Sequence, residues 1–84
     1  MAKYYANMSV NNGTRYCPDW EGTNKNKLAK KIAASARANC FVGNECRWKV
    51  WDEDGIVVAA GAAIKKQNGK FSYLNCQDMI GERI

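Results

Sequence analysis

Apolar residues change their spacing once along this chain, near Gly43, and the change limits the folds that are open to it. Before this point Leu28, Ile32 and Ala36 recur every four residues, a spacing typical of the buried side of an amphipathic helix. After it, apolar residues alternate with charged ones, as they do in a strand with one buried face. One helix followed by several strands predicts an α+β fold.

The predicted elements follow the order β-α-β-β-β. A tyrosine-rich strand comes first, and the helix after it starts at an N-cap provided by Thr23 or Asn24. Turns rich in Asp, Asn and Gly separate the later strands, because these residues supply the local bonds and backbone freedom that turns need. The expected ranges are strands at residues 3–10, 46–51, 56–64 and 70–74, a loop at 18–22 and the helix at 24–39. The fold expected is a small antiparallel β-sheet with one helix packed on one face.

Gly61 interrupts the strand predicted at residues 56–64. A glycine inside a strand commonly marks a β-bulge or a place where another backbone comes close. We expect one of the two at this position.

The length of the chain, 84 residues, is enough for one hydrophobic core and predicts one domain over residues 1–84. Residues 75–84 show no periodicity and are expected to form a short turn or a frayed tail. The longest apolar run, residues 56–64, is far shorter than the roughly 20 residues that span a bilayer, so no membrane partner is expected. The first ten residues contain one lysine and no apolar stretch, which predicts no signal peptide and a cytoplasmic location.

The four cysteines are too widely spaced for a zinc ribbon, which uses C-x-x-C pairs. The chain has no histidine, so a zinc site would need all four thiolates or a carboxylate. Two disulfides in an oxidising compartment remain an alternative, with three pairings open. Without a signal peptide we favour free thiols that act as small core residues, and we expect no cofactor. The cysteines are Cys17, Cys40, Cys46 and Cys76.

Three carboxylates stand together at residues 52–54, directly before Gly55. Their order resembles the start of a calcium loop, but such a loop continues to supply oxygen ligands over 12 residues. Here an apolar strand begins immediately after Gly55. Asp and Gly are also favoured residues of hairpin turns, so we interpret this cluster as a turn and predict no metal.

Catalytic motifs are missing from the sequence. No histidine is present to activate a serine or cysteine, and no G-x-S-x-G, P-loop or G-x-G-x-x-G motif occurs. Cys46 precedes Arg47, but a cysteine at the start of a strand is an ordinary structural feature. We therefore expect a protein that is not an enzyme.

Positive charge is concentrated in the first 50 residues, which carry nine of the 13 Lys and Arg but three of the eight acids. One side of the predicted helix is basic, without an intervening acid, and lysines in its first turn oppose the helix dipole. Such a face can bind phosphates or an acidic protein surface, or can serve solubility alone. The residues of this face are Lys27, Lys30, Lys31 and Arg37.

Aromatic residues of the strands supply candidate anchors. The alternation places Trp48 toward the helix, together with Phe71 and Tyr73, as expected core residues. Trp51 falls on the other face and is predicted to be exposed, where it would suit a protein interface. Tyr5 is the second candidate anchor, because Tyr4 and Tyr5 must point to opposite faces.

An alternative site lies on the strand predicted at residues 46–51, where basic residues alternate with Trp48. These cations could frame aromatic rings and bind nucleic acid. Single-strand binders combine basic residues with aromatic rings on which bases stack. Arg47 and Lys49 are the candidates for this role, together with the cations of the helix, Lys27, Lys30, Lys31 and Arg37.

The helix sequence LAKKIA at residues 28–33 and the hairpin sequence VWDEDG at residues 50–55 stand in an order of elements that resembles small phage-encoded anti-CRISPR proteins over residues 3–74. The resemblance implies a protein without an active site that occupies a surface of a CRISPR effector. Many members of that class are acidic DNA mimics, and this basic chain departs from the pattern. The resemblance therefore implies steric blocking of an acidic or mixed surface, or capture of nucleic acid.

The sequence as a whole predicts an inhibitor or adaptor that docks on a larger protein or ribonucleoprotein complex. The alternative is a basic module that binds nucleic acid. A free sheet edge, most simply that of the last strand, would also allow pairing with a second copy or with another chain.

Overall fold

The computed structural model describes residues 2–13, 15–16 and 20–84, which form one α-helix, one six-stranded sheet and one short 3₁₀ helix. The α+β class and the antiparallel sheet predicted from the sequence are confirmed. In chain order the elements are β1 (Tyr4–Val10), β2 (Arg15–Tyr16), β3 (Trp20–Gly22), α1 (Lys25–Ala38), β4 (Glu45–Asp52), β5 (Val57–Lys65), β6 (Phe71–Leu74) and the 3₁₀ helix Gln77–Met79.

The strands pair in the order β2-β1-β4-β5-β6, and every pair is antiparallel. The two short strands share the outer edge of β1: β2 pairs with its end, and β3 pairs with its start. The loop expected at residues 18–22 is therefore wrong for residues 20–22. Trp20 packs half-buried against the core, and a three-residue strand is too short to show an alternation in sequence.

Helix α1 begins and ends where its capping residues predict. The side chain of Asn24 accepts a hydrogen bond from the backbone N–H of Lys27 at 3.1 Å, as an N-cap does. At the other end the backbone N–H of Asn39 bonds to the carbonyl of Ser35 at 3.1 Å. The buried face contains alanines, whose small side chains let the helix approach the sheet closely. Its buried residues are Leu28, Ile32, Ala33 and Ala36.

The hydrophobic core lies between α1 and one face of the sheet. Alternate residues of β1 and β4 point into it, and Ile32, Cys46 and Val50 are its largest fully buried side chains. The helix contacts β1, β3, β4 and β5 but leaves the side of β6 uncovered. The buried sheet residues of this cluster are Ala6, Met8, Val10, Cys46, Val50 and Ala63.

Residues 75–84, expected to be a turn or a frayed tail, return to the start of β5 after the 3₁₀ helix. The backbone N–H of Val57 bonds to the carbonyl of Glu82 at 2.8 Å, and Gly81 bonds back to the carbonyl of Val57 at 2.8 Å. Ile84 adds a bond to the carbonyl of Gly55 at 2.9 Å. The end of the chain therefore lies along the same side of β5 that β6 occupies farther on.

Candidate binding surfaces

The basic face of α1 is the first candidate surface. Lys27, Lys30 and Lys31 are spaced so that they project from the same side of the helix, opposite Leu28 and Ile32. All three are exposed. The ion pairs within the described ranges join Lys3 to Glu21 at 3.2 Å and Arg47 to Glu45, so these three lysines have no acidic partner there.

Lys27 occupies a position at which helix stability favours the opposite charge. It is the third residue of the helix after the N-cap Asn24, and in a capping box that position carries Glu or Gln. The first turn contains no acid, although the partial positive charge of a helix N-terminus is stabilised by one. The lysine therefore has a local energetic cost.

A surface depression adjoins the same lysines. Lys27 and Lys31 border it on the helix, and Glu21 borders it from β3, around a volume of about 340 Å³. Glu21 bonds to Lys3, and this hydrogen bond and the accompanying charge attraction raise the pKa of Lys3. The depression thus combines two helix cations with one acid that is already paired.

Arg37 does not belong to this patch, although the sequence grouped it with the three lysines. It is half-buried, and its charge lies near enough to Cys46 of β4 to offset in part the rise in the pKa of that thiol that burial causes. Arg37 points in nearly the same direction as Lys30, but it lies two turns, or about 10 Å, farther along the helix, since each residue rises about 1.5 Å. The basic surface is therefore narrower than predicted.

Trp51 is buried, so the prediction of an exposed anchor is wrong. Its side chain is 8% exposed and stacks on Tyr5, its cross-strand partner, with ring centroids 6.2 Å apart and planes 24° apart. Lys49 Nζ lies 6.0 Å from the centroid of the Trp51 ring. A register shift between Val50 and Trp51 aligns this residue with Val57, the point at which the C-terminal segment returns. Trp51 does face away from the helix, but on that face the ring of Tyr5 packs against it.

Tyr5 is half-buried in the same stack. One side of its ring is occupied by the indole of Trp51, so Tyr5 is less available as an anchor than the sequence predicted. Stacked aromatic pairs of this kind stabilise neighbouring strands. Its first role is therefore structural.

Arg47 and Lys49, predicted for the nucleic-acid alternative, lie together on the sheet face opposite the helix. They line a shallow cavity of about 210 Å³ with Ser9 of β1 and with Cys76 and Met79 of the C-terminal segment. Arg47 is exposed but is bonded to the carboxylate of Glu45; this hydrogen bond and the attraction of the carboxylate raise the pKa of Arg47.

The two basic sets consequently face opposite sides of the domain. The helix and the sheet lie between Lys27, Lys30 and Lys31 on one side and Arg47 and Lys49 on the other. A single flat ligand cannot contact both sets. The sequence could not reveal this, because it fixes which residues share an element and not which elements share a surface.

The aromatic residues predicted to face the helix divide into two groups. Trp48 and Phe71 are half-buried and pack against the core, which confirms the prediction for both. Tyr73 is 61% exposed, so the prediction is wrong for it, because the helix stops short of β6.

Burial limits the reactivity of Cys46. Cys40, Cys46 and Cys76 are free thiols, while Cys17 lies outside the described residues. Burial, with a further contribution from neighbouring Cys40, raises the pKa of Cys46 to about 11, so its reactive thiolate is scarce at neutral pH. In the ranges that the structure covers, no group of three or more metal-binding side chains occurs.

The carboxylates at residues 52–54 take part in a hairpin turn, as predicted. Asp52 accepts hydrogen bonds at Oδ1 from the backbone N–H groups of Asp54 and Ile56, at 2.9 and 3.0 Å. Glu53 accepts one from the backbone of Lys3 at 2.8 Å, and Gly55 has a positive φ of 78°. The carboxylates of Asp52 and Glu53 therefore bond to backbone N–H groups.

Neither the lengths of the helices nor comparison with known proteins adds a further candidate site. No helix in the described ranges is long and apolar enough to cross a bilayer. Comparison with known protein families, curated proteins and solved structures found no match.

Proposed function

We propose that this chain is a non-catalytic binding protein that docks on an acidic surface of a larger cytoplasmic partner through Lys27, Lys30 and Lys31. The observation that carries the proposal is the position of these lysines: they are exposed, adjacent and without an acidic partner in the described residues. One of them stands where helix stability favours Glu. A binding role accounts for a residue that the helix itself does not favour.

The chemistry of the patch suits charge-driven docking. Lysine is a mobile point charge that stays solvated until contact, so an acidic surface attracts the patch over a distance of about a Debye length, 8–10 Å. Complementary charges raise the rate of encounter and orient the partners. Binding of this kind weakens as the salt concentration rises.

A narrower version of the proposal names the partner. The resemblance in the order of elements supports a phage-encoded inhibitor that blocks a CRISPR effector sterically in the host cytoplasm. This version is tested by adding the purified chain to effector complexes of different types in a target-cleavage assay. Inhibition of one effector type supports this version. Unchanged cleavage by every type would contradict it, and the general docking proposal would then need a different partner.

The second candidate function is nucleic-acid binding by the opposite face, and the cavity beside Arg47 and Lys49 favours it. Two features weigh against it: Arg47 is paired with Glu45, and Trp51 is too buried to stack with a base. An oligonucleotide titration at about 50 mM salt, where phosphate contacts are strong, tests it. Arg47→Ala/Lys49→Ala should abolish any binding that uses this face.

The experiment for the leading proposal compares two charge reversals of equal size. Lys30→Glu alters the helix patch, whereas Lys66→Glu alters an exposed lysine beside the β5–β6 turn. Each tagged protein is used to capture partners from nuclease-treated host lysate, and the captured proteins are quantified by mass spectrometry. The proposal predicts that the first variant loses a partner that the wild type and the second variant retain. Capture of the same partner by all three proteins would contradict it.

A further inference from the structure

The outer edge of β6 carries backbone groups that point away from the sheet. The direction of the backbone N–H and C=O groups follows from the hydrogen bonds of β5. Lys65 bonds on the side of β4: its carbonyl accepts from the N–H of Gly43 at 2.7 Å, and its N–H donates to the carbonyl of Asn44 at 3.0 Å. The next residue, Lys66, bonds the other way, donating to the carbonyl of Lys70 at 2.7 Å. Backbone direction alternates along an antiparallel ladder.

The residue pairs between β5 and β6 carry this alternation into β6 and show which of its backbone groups point outward. Ser72 is opposite Ile64 and Leu74 is opposite Ala62, and these residues bond to β5. Phe71 and Tyr73 therefore direct their N–H and C=O groups outward. Among the described residues no strand lies beyond β6 to receive them.

Apart from its short length, β6 has none of the features that protect natural sheet edges. Edge strands are commonly shielded by charged residues, proline or a bulge, and β6 consists of Phe71, Ser72, Tyr73 and Leu74 in regular register. Tyr73 is 61% and Leu74 40% exposed. The ring centroids of Phe71 and Tyr73 are 6.4 Å apart, so the two form one aromatic pair beside the edge.

We propose that β6 pairs with β6 of a second copy of this chain in an antiparallel ladder centred on Ser72. In this register Phe71 of each copy is opposite Tyr73 of the other, so every outward-facing residue meets an outward-facing partner and four backbone hydrogen bonds form. If the centre of the ladder moved by one residue in either direction, Phe71 or Tyr73 would be opposite a position outside β6. The strand is thus self-complementary.

The side chains of β6 also favour pairing with a second copy of this chain. Aromatic residues placed directly opposite each other across strands are stabilising, and so are paired serines; the ladder contains two Phe71–Tyr73 pairs and one Ser72–Ser72 pair. Lys70 of one copy is opposite Leu74 of the other, which keeps the lysines at opposite ends. A net charge of +5 on each copy is therefore not concentrated at the contact.

The geometry has a consequence for the helices. The two-fold axis of an antiparallel strand pair is perpendicular to the sheet, so both copies present α1 on the same side. The dimer joins two lysine patches on one surface, which would strengthen docking on an extended acidic partner. A four-residue ladder is a small interface, below about 1,200 Å², and the dimer is expected to dissociate on dilution.

Sedimentation velocity over a wide range of protein concentration tests the proposal. The wild type should shift from monomer to dimer as the concentration rises. Tyr73→Pro removes an outward N–H while leaving the bonds to β5 in place, and it should remain monomeric with an unchanged far-UV spectrum. The matched control Tyr73→Thr keeps that N–H and should dimerise, though more weakly. A wild type that is monomeric at every concentration overturns the proposal, as does a Tyr73→Pro variant that dimerises like the wild type.

Crosslinking tests the register independently of proline. In the proposed ladder the two Ser72 Cα atoms are about 4.5 Å apart, within the range of about 4.4–6.8 Å that a disulfide spans. Ser72→Cys, in a Cys76→Ser background, should give a covalent dimer with oxidised glutathione. Leu74→Cys is the control, because its two copies would be about 14 Å apart. Equal crosslinking of both variants, or none at Ser72→Cys, would overturn the register.

Discussion

The indole ring of Trp48 occupies the space that a side chain on Gly61 would need. The two residues are opposite each other in β4 and β5, and a Cβ atom built on Gly61 would lie 2.6 Å from Nε1 of Trp48, well inside van der Waals contact. The sequence predicted a bulge or a close backbone at Gly61. The bulge lies instead at Val50 and Trp51, and the close neighbour is a ring.

Gly61→Ala should therefore destabilise the domain by about 3 kcal/mol, the upper part of the range for overpacked sites. The cost arises because the added methyl group displaces an indole that packs against the core. Urea denaturation measures it. In a Trp48→Val background the same substitution should cost less than about 1 kcal/mol, since the ring is gone. An equal cost in both backgrounds would show that the clash is not with Trp48.

Asn11 should be the most sensitive polar residue in the loops described here. It is 6% exposed, with a positive φ of 56°, and its Oδ1 accepts from the backbone N–H of Phe41 at 2.9 Å and from Asn44 Nδ2 at 3.2 Å. Asn11→Gly keeps the backbone conformation and loses these bonds, at an expected cost of about 1–3 kcal/mol. Asn11→Ala adds the strain of a positive φ, a further 1–2 kcal/mol or so. In thermal and urea unfolding the wild type should be the most stable, followed by Asn11→Gly and then Asn11→Ala. Equal stability of the two variants would show that the positive φ causes no strain.

Stability should fall at alkaline pH because of Cys46. The pKa of this thiol is raised from 9.0 to about 11 in the folded chain, so between these values the unfolded chain loses a proton that the native chain keeps. The unfolded state then binds fewer protons, and the free energy of unfolding decreases as pH rises from 9 to 11. Cys46→Val lacks this contribution. A pH series of urea unfolding should show a steeper decline for the wild type, and parallel curves would contradict the assignment.

Sequence patterns could predict the helix, the long strands and the exposed lysines, because each depends on periodicity within one element. Trp51 was misjudged because alternation gives the face of a residue and not whether that face is covered. The cover comes from Tyr5, 46 positions earlier in the chain. Tyr73 was misjudged for the opposite reason, since the limited reach of α1 leaves its face open. The separation of the lysine patch from Arg47 also depends on long-range packing.

Lys27→Glu tests the central claim most directly, because its effects on stability and on binding should have opposite signs. The acid completes a capping box with Asn24 and complements the helix dipole, so the unfolding free energy should rise by about 0.5–1 kcal/mol. Unfolding cannot then explain a loss of binding. Quantitative capture of the partner by this variant should fall severalfold relative to the wild type. A variant that is more stable and captures the partner as well as the wild type would contradict the proposed role of the lysine patch.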